Sequence, residues 1–244
     1  MKYIRKFLHI IIVSLAASIA VYSCLQLASI YMQYDYIDKM DKKLISDVVT
    51  GKTNNALKRK INWIELKKIN PDIIGWIYIP DTRIDYPIMK SDETYKYLKL
   101  NYMKQKSISG SIFLDQRNSS TFNDSNTIIY GHNMKNGSMF SDLRNFVDQK
   151  YMDKHINIYI YTPDSKIRIY KCFSGVYTEA TSDMYQTDID YSKYTAAVIN
   201  MAMAKEKIDT TKKSPLVMLS TCTMAHSNKR TVLYGRLMQT IRQD

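Results

Sequence analysis

The amino-terminal part of the chain is almost continuously apolar between Phe7 and Ala28. As a helix, this segment would be about 33 Å long, which matches the apolar core of a lipid bilayer. Lys2, Arg5 and Lys6 precede it, and the positive-inside rule places such a basic end in the cytoplasm. The pattern therefore predicts a single membrane-spanning helix in the cell membrane, with the rest of the chain outside the cell.

A cleaved signal peptide is the competing interpretation of the same segment. The apolar stretch is longer than the roughly 7 to 15 residues of an ordinary signal peptide, and no clear A-x-A cleavage site follows it. We therefore expect a retained anchor at residues 7–28.

The segment from Tyr31 to Ile69 is charged and rich in helix-forming residues, with Gly51 dividing it into two pieces. In the second piece Leu57, Ile61 and Ile64 recur at helical spacing, which predicts a helix that packs one face against a domain. We interpret the region as a stalk followed by packing helices, without chemistry of its own.

From residue 70 onward, short apolar or alternating segments bounded by turn residues predict a series of strands with helices between them. The predicted strands are Gly75 to Ile79, Ile84 to Met89, Ser111 to Leu114, Thr127 to Tyr130, Ile156 to Thr162, Lys166 to Val176, Leu216 to Cys222 and Thr231 to Leu237. The predicted helical pieces are Ser91 to Leu100, Met139 to Val147 and Asp190 to Lys207. This mainly β pattern favours a closed β-barrel that carries helices. The chain thus divides into an anchor with a cytoplasmic tip (1–31), a helical stalk (32–69) and a barrel domain (70–244).

Composition narrows the possible functions. The 244 residues, 45% of them hydrophobic, suffice for one domain with appendages. The net charge of +12 fits a nucleic-acid partner, an anionic membrane or simply a soluble surface. No zinc-finger spacing, RNP-like motif or long arginine run supports nucleic acid, and the 7 glycines form no phosphate-binding loop, so we expect no nucleic-acid partner and no cofactor. The three cysteines form no CxxC pair and indicate no disulfide framework.

A candidate nucleophile lies near the carboxyl end of the chain. Cys222 ends one predicted strand and Arg230 begins the next, so the thiol and the guanidinium lie side by side if the two strands pair. A fixed cation beside a cysteine favours the nucleophilic thiolate. The structural alternative is that Cys222 is an ordinary small buried side chain. His132, in the loop that follows the strand Thr127 to Tyr130, is a candidate acid and base, because an imidazole titrates near neutral pH.

The segments NTIIYGHNMKNGSMF (126–140) and LSTC (219–222), with an arginine eight residues after the cysteine, closely resemble the signature of class B sortases, the cysteine transpeptidases of Gram-positive cell envelopes. The segments NPDIIGWIYIPDTRIDYPIM (70–89) and GSIFLD (110–115) are also similar to sortase B segments and occur in the expected order. The resemblance covers residues 70 to 237. It implies an eight-stranded sortase barrel in which a long insertion, Tyr185 to Lys207, forms part of the substrate groove.

The resemblance gives each candidate a role. Cys222 is the expected nucleophile that forms a thioester, and His132 is the expected acid and base. Arg230 keeps its proton at ordinary pH and is therefore an expected donor to the oxyanion or the substrate backbone. Ser220 and Leu98 match groove positions. The sequence departs from the family at Met218, where a threonine is common, and in the short loop of residues 223–229; both departures affect substrate fit rather than a catalytic group.

The expected substrates are the sorting-signal peptide of a secreted protein and an amine of peptidoglycan or lipid II. Two alternatives stay open: a cysteine protease that hydrolyses the same intermediate, and a non-catalytic barrel that binds peptides. A metal pair of Cys222 and His226 is disfavoured, because a closed zinc site needs four ligands and no further cluster joins these two. A Cys-His-Asp triad is not predicted, since no rule of sequence brings Asp115, Asp124 and Asp142 together.

Overall fold

The computed structural model describes residues 2–51, 55–93, 95–181, 183–223 and 228–243. Contacts divide the chain into two units, residues 1–43 and 44–244. His226 and most of the loop that follows Cys222 lie outside the described residues.

The predicted anchor lies within one long helix, α1, Lys2–Val48. By length and composition, this helix is long and apolar enough to cross a membrane. Beyond its apolar part, two ion pairs of i,i+4 spacing support the helix: Asp35 with Lys39 at 2.7 Å and Asp38 with Lys42 at 2.6 Å.

The predicted packing helix around Leu57, Ile61 and Ile64 is wrong. The chain instead forms several short elements, which are β1 (Val49–Thr50), a 3-10 helix (Ala56–Lys58), β2 (Lys60–Ile61) and α2 (Trp63–Ile69). Asparagine side chains cap the helix starts, because Asn55 Oδ1 accepts from the backbone N–H of Leu57 and Asn62 Oδ1 accepts from that of Glu65. The exposed fractions of Leu57 and Ile64 are 43% and 72%, so neither side chain packs into a core.

Eight strands close into a barrel within the part of the chain that the structure describes. They are β3 (Ile73–Tyr78), β4 (Asp85–Met89), β5 (Ile112–Leu114), β6 (Asn126–Tyr130), β7 (Asn157–Thr162), β8 (Lys166–Glu179), β10 (Leu216–Cys222) and β11 (Lys229–Arg242). Neighbours around the barrel follow the order β11, β10, β6, β5, β4, β3, β7, β8, and a long antiparallel pairing of β8 with β11 closes it. The predicted closed eight-stranded barrel is confirmed.

The helices between the strands are shorter than predicted. The segments expected at Ser91 to Leu100 and Met139 to Val147 form 3-10 helices, Lys96–Leu98 and Ser141–Val147, and an unpredicted helix α3, Gln149–Lys154, follows the second one.

The helix predicted for Asp190 to Lys207 is α4, Tyr191–Met201, with Asp190 as its N-cap. Its carboxyl end was predicted wrongly, because residues Ala204–Lys205 form β9, which pairs with Ser174 and Gly175 of β8. α4 packs its aromatic and apolar face on the barrel in one buried cluster that also holds Phe173, Met218 and Tyr234.

Candidate active site

Strand pairing places Arg230 beside Cys222. β10 and β11 are antiparallel, and in their register the Cα of Cys222 lies opposite that of Arg230. Cys222 is the last residue of β10, and both side chains are half-buried, so water and a substrate can reach the thiol. The short segment between the two strands is what makes this pairing local and predictable from the sequence.

His132 reaches the same edge of the barrel through a different strand. β6 runs parallel to β10 with Tyr130 opposite Ser220, and the N–H of Gly131 donates to the carbonyl of Ser220 at 3.2 Å. Because parallel strands end on the same side of a sheet, the residues after Tyr130 arrive next to Cys222. Gly131 allows this close approach, since a Cβ there would overlap the Ile112 side chain and would lie 2.8 Å from the Phe140 ring.

Asn133 ties the histidine loop to the cysteine. Its Nδ2 donates to the carbonyl of Cys222 at 2.9 Å and to that of Thr223 at 3.2 Å. The same loop is closed on itself, because the N–H of Phe140 donates to the carbonyl of His132 at 3.0 Å. The position of His132 relative to Cys222 therefore depends on backbone hydrogen bonds and one amide side chain. Asn133 was not predicted from the sequence, although its position next to His132 was a usable signal.

The imidazole of His132 is held by a backbone carbonyl. Its Nε2 lies 2.8 Å from the carbonyl oxygen of Leu98, and a carbonyl can only accept, so Nε2 carries a proton and donates. The other ring nitrogen, Nδ1, is not used in this bond. Within the described residues, the hydrogen bond of this ring is to a backbone carbonyl and not to a carboxylate.

A cleft with a volume of about 660 Å³ joins these groups. Cys222, His132, Arg230 and Leu98 all line it, and aromatic side chains form one of its walls. The aromatic side chains that line the cleft are Tyr95, Tyr97, Phe113, Tyr130 and Tyr185.

Ser220, the other predicted groove residue, lies behind this wall. Its exposed fraction is 1%, and its Oγ shares a hydrogen bond of 2.7 Å with the hydroxyl of Tyr185. Tyr185, at the start of the predicted groove insertion, does line the cleft, whereas α4 of the same insertion packs against the barrel.

Asp115, the last residue of the GSIFLD segment, was given no role from the sequence, but it also lies at the cleft. Asp115 is 8% exposed and bonds both Arg117 and Tyr130. Burial acts to raise the pKa of Asp115, but the hydrogen bonds from Arg117 and Tyr130 outweigh it and hold that pKa below its ordinary value. Asp115 is therefore ionised at neutral pH.

Neither the second described cysteine of the barrel nor a metal site offers an alternative to the cleft within the described residues. Cys172 is fully buried, and burial raises the pKa of its thiol, so it stays a neutral core residue. Within the described ranges no group of three or more His, Cys, Asp or Glu side chains could hold a metal ion. Of the Cys222 and His226 pair, only Cys222 is among the described residues.

The chain is similar to known proteins over most of its length. The family model for the sortase domain matches residues 77–238. Sortase B of Listeria monocytogenes serovar 1/2a is 33% identical over 217 residues, which cover 83% of this chain and 87% of that relative. The crystal structure of sortase B from B. anthracis in complex with AAEK1 has a TM-score of 0.72 and 28% identity, covering 86% of this chain and 99% of that one. A Staphylococcus aureus sortase B–substrate complex has a TM-score of 0.69 and 26% identity, covering 84% and 94%.

Proposed function

Because this chain belongs to the class B sortases, a family of cysteine transpeptidases that act on sorting-signal peptides, we propose that Cys222, His132 and Arg230 carry out its chemistry. The observation that carries the proposal is the pairing of Cys222 with Arg230 across β10 and β11, in the cleft that His132 also lines. The three groups come from two separate parts of the chain and meet where a peptide can enter.

The first half-reaction cleaves the peptide. The Cys222 thiolate attacks the carbonyl carbon of the scissile bond, and the negative charge that develops on its oxygen is stabilised by the guanidinium of Arg230. His132 donates the proton from Nδ1 to the departing amide nitrogen, which leaves as an amine. The carbonyl carbon is then held as a thioester on the sulfur of Cys222.

The second half-reaction reverses these roles. An amine acceptor attacks the thioester, His132 takes a proton from its nitrogen, and the sulfur of Cys222 leaves as thiolate. A new amide bond forms and the enzyme returns to its starting state. The acceptor that suits this chemistry is a primary amine of peptidoglycan or of lipid II.

Leu98 and Ser220 act in substrate binding in two ways. Leu98 lines the cleft, and its carbonyl fixes the tautomer of His132. Ser220 is buried, so it acts on a substrate through the hydroxyl of Tyr185.

The amino-terminal helix anchors the enzyme to the cell membrane. Residues 7–28 cross the bilayer, the basic residues before them stay in the cytoplasm, and the barrel lies outside. This arrangement brings the cleft to the side of the membrane where both exported peptides and cell-wall amines occur.

The test compares two cysteines of the same chain. Cys222→Ala should abolish thioester formation and turnover without unfolding the barrel, whereas Cys172→Ala, at a buried position away from the cleft, should retain most of the activity. Mass spectrometry of products with and without an added amine separates transfer from hydrolysis. Equal losses from both substitutions would mean that Cys222 is a packing residue, and products unchanged by the amine would favour a cysteine protease.

A further inference from the structure

One wall of the cleft is fastened to a carboxylate that the reaction proposed above does not use. Asp115 Oδ1 accepts from the backbone N–H and from Nε of Arg117, both at 2.9 Å. Its Oδ2 accepts from Nη2 of Arg117 and from the hydroxyl of Tyr130, both at 2.8 Å. Four donors therefore satisfy both oxygens of a carboxylate that is almost fully buried.

The charges in this group fix the direction of its hydrogen bonds. Asp115 is ionised, as argued above, whereas burial and the neighbouring carboxylate raise the pKa of Tyr130, so the proton stays on the phenol. The bond from Tyr130 to Asp115 is thus charge-assisted, a class that is shorter and stronger than a neutral hydrogen bond. Arg117 supplies the compensating positive charge without which a buried carboxylate would be costly.

Tyr130, held in place by Asp115, stacks on the ring of Tyr185. The rings of Tyr130 and Tyr185 are stacked, with centroids 6.2 Å apart and planes within 6° of each other. Tyr185 is fastened at its own hydroxyl by Ser220, which is two residues before Cys222 on the same strand and so on the same face. Two parallel rings, each held by its hydroxyl, thus form one wall of the cleft between Asp115 and Ser220.

We propose that Asp115 and Arg117 are positioning residues for the peptide substrate, which they serve by fixing Tyr130 and, through it, the stacked wall. This inference rests on the proposed function, since it assigns the wall to the peptide that Cys222 attacks. A preformed wall spares the substrate the cost of ordering two tyrosine side chains on binding. None of these groups touches the reacting atoms, so they affect peptide affinity and not the chemical step.

The test measures KM and kcat separately for a sorting-signal peptide. Tyr130→Phe keeps the ring and loses only the hydroxyl, and Asp115→Asn keeps the shape and loses the charge. Both should raise KM roughly tenfold and leave kcat within about twofold, as expected when a hydrogen bond that preorganises a binding surface is lost. Because the two residues act as one unit, the double variant should raise KM little more than either single variant. Arg117→Lys keeps the charge but loses the two-point contact with the carboxylate. Its KM should therefore lie between that of the unsubstituted enzyme and those of the two single variants.

Asp164→Asn is the matched control, because Asp164 also pairs with a cation two residues on, Lys166, but at the β7–β8 turn outside the cleft. It should leave both constants unchanged. Iodoacetamide labelling of Cys222 should proceed at the same rate in every variant. A KM that does not change in Tyr130→Phe, or a fall in kcat together with slower labelling, would overturn the positioning role. If Cys222→Ala itself retained turnover, the proposed function would fail instead, so the two failures are distinguishable.

Discussion

The position of Arg230 is set by strand register, and one of its guanidinium nitrogens donates to the neighbouring carbonyl of Lys229 at 3.1 Å. Two roles are compatible with that position. As a plain charge it would favour the thiolate of Cys222, and as a planar fork it would bind the oxyanion and a substrate carbonyl. A lysine keeps the charge but has a different reach and no fork.

We expect the planar guanidinium of Arg230, and not its charge alone, to be needed for the reaction. Arg230→Lys and Arg230→Ala should both lower kcat by about 10²-fold to 10³-fold, the usual effect of losing one oxyanion donor. Single-turnover acylation measures the loss, and iodoacetamide labelling across pH reports on the thiol. Near wild-type acylation by Arg230→Lys, or labelling shifted to markedly higher pH in Arg230→Ala, would assign the arginine to thiol activation.

Asp115 leads to a prediction about acid stability. Arg117 and Tyr130 hold its folded-state pKa below the ordinary value of about 3.9, so its stabilising contribution is fully present above that value and is lost as the pH falls through the lower, folded pKa. Asp115→Asn should therefore cost about 1 to 3 kcal/mol of unfolding free energy at pH 7. The difference from the unsubstituted protein should stay constant down to about pH 5 and shrink below about pH 4.

Urea unfolding at a series of pH values measures this difference directly. Other aspartates whose pKa values are lowered, such as Asp72 and Asp209, also contribute less to the unfolding free energy at low pH. Their effect is the same in both proteins, so it cancels in the comparison. Asp92→Asn, at an exposed position, serves as the control and should show little difference at any pH. A difference for Asp115→Asn that is equally large at pH 3 and pH 7 would contradict the ionic contribution.

The residues of the site differ in how far the sequence could predict them. Cys222 and Arg230 meet through a hairpin, so their pairing follows from local pattern alone. The bond between His132 and the carbonyl of Leu98 joins positions 34 residues apart, and a backbone acceptor has no side-chain signature. Asp115 is similar, because its partner Tyr130 lies on a neighbouring strand whose register depends on the whole barrel.

Strands were predicted more accurately than helices for a physical reason. Alternating or apolar runs bounded by turn residues mark β4, β6 and β10 within about one residue, since each strand buries its side chains in the barrel. The helical spacing around Leu57 and Ile61 was accidental, because Ile61 is buried as the strand partner of Val49. Short helices depend on caps and tertiary contacts, which periodicity does not record.

The segment before the barrel is an integral part of that unit. Arg59 is 5% exposed, and its Nη2 donates to both carboxylate oxygens of Asp85, at 2.6 and 2.8 Å. The guanidinium carbon lies 4.0 Å from the centre of the Tyr78 ring. The hydroxyl of Tyr161 donates to the carbonyl of Ala56 at 2.7 Å, which fastens the same segment to β7.

Shortening the chain from its amino end should therefore be tolerated up to residue 44 but not beyond the segment that holds Arg59. A chain that begins at Leu44 should keep the stability and the peptide-cleaving activity of the barrel unit, whereas one that begins at Trp63 should be strongly destabilised. Removal of one partner from a buried ion pair typically costs about 3 to 5 kcal/mol, and Arg59→Gln should reproduce much of that loss. Chemical denaturation compares the three proteins. Equal stability of the two truncated chains would show that residues 44–62 contribute nothing.

The apolar segment and Cys222 lie in separate units of the chain, so the membrane topology can be tested by chemical labelling. A membrane-impermeant maleimide added to intact cells should label Cys222 and should fail to label the Cys222→Ala variant. The labelled protein should fractionate with membranes and retain its original amino terminus. A mature amino terminus near residue 30 would show a cleaved signal peptide instead, and labelling only after cell lysis would reverse the orientation.

The central position of β11 has a consequence for the timing of activity during synthesis. A chain is made from its amino end, yet β11, the last barrel strand in the chain, lies between β10 and β8 and carries Arg230. Until residues 229–242 have been made and have inserted, the barrel is open and the thiol of Cys222 has no cation opposite it. On the assignment proposed above, a nascent or prematurely ended chain already holds Cys222 but lacks the oxyanion donor, so we expect transpeptidase activity only after β11 has inserted.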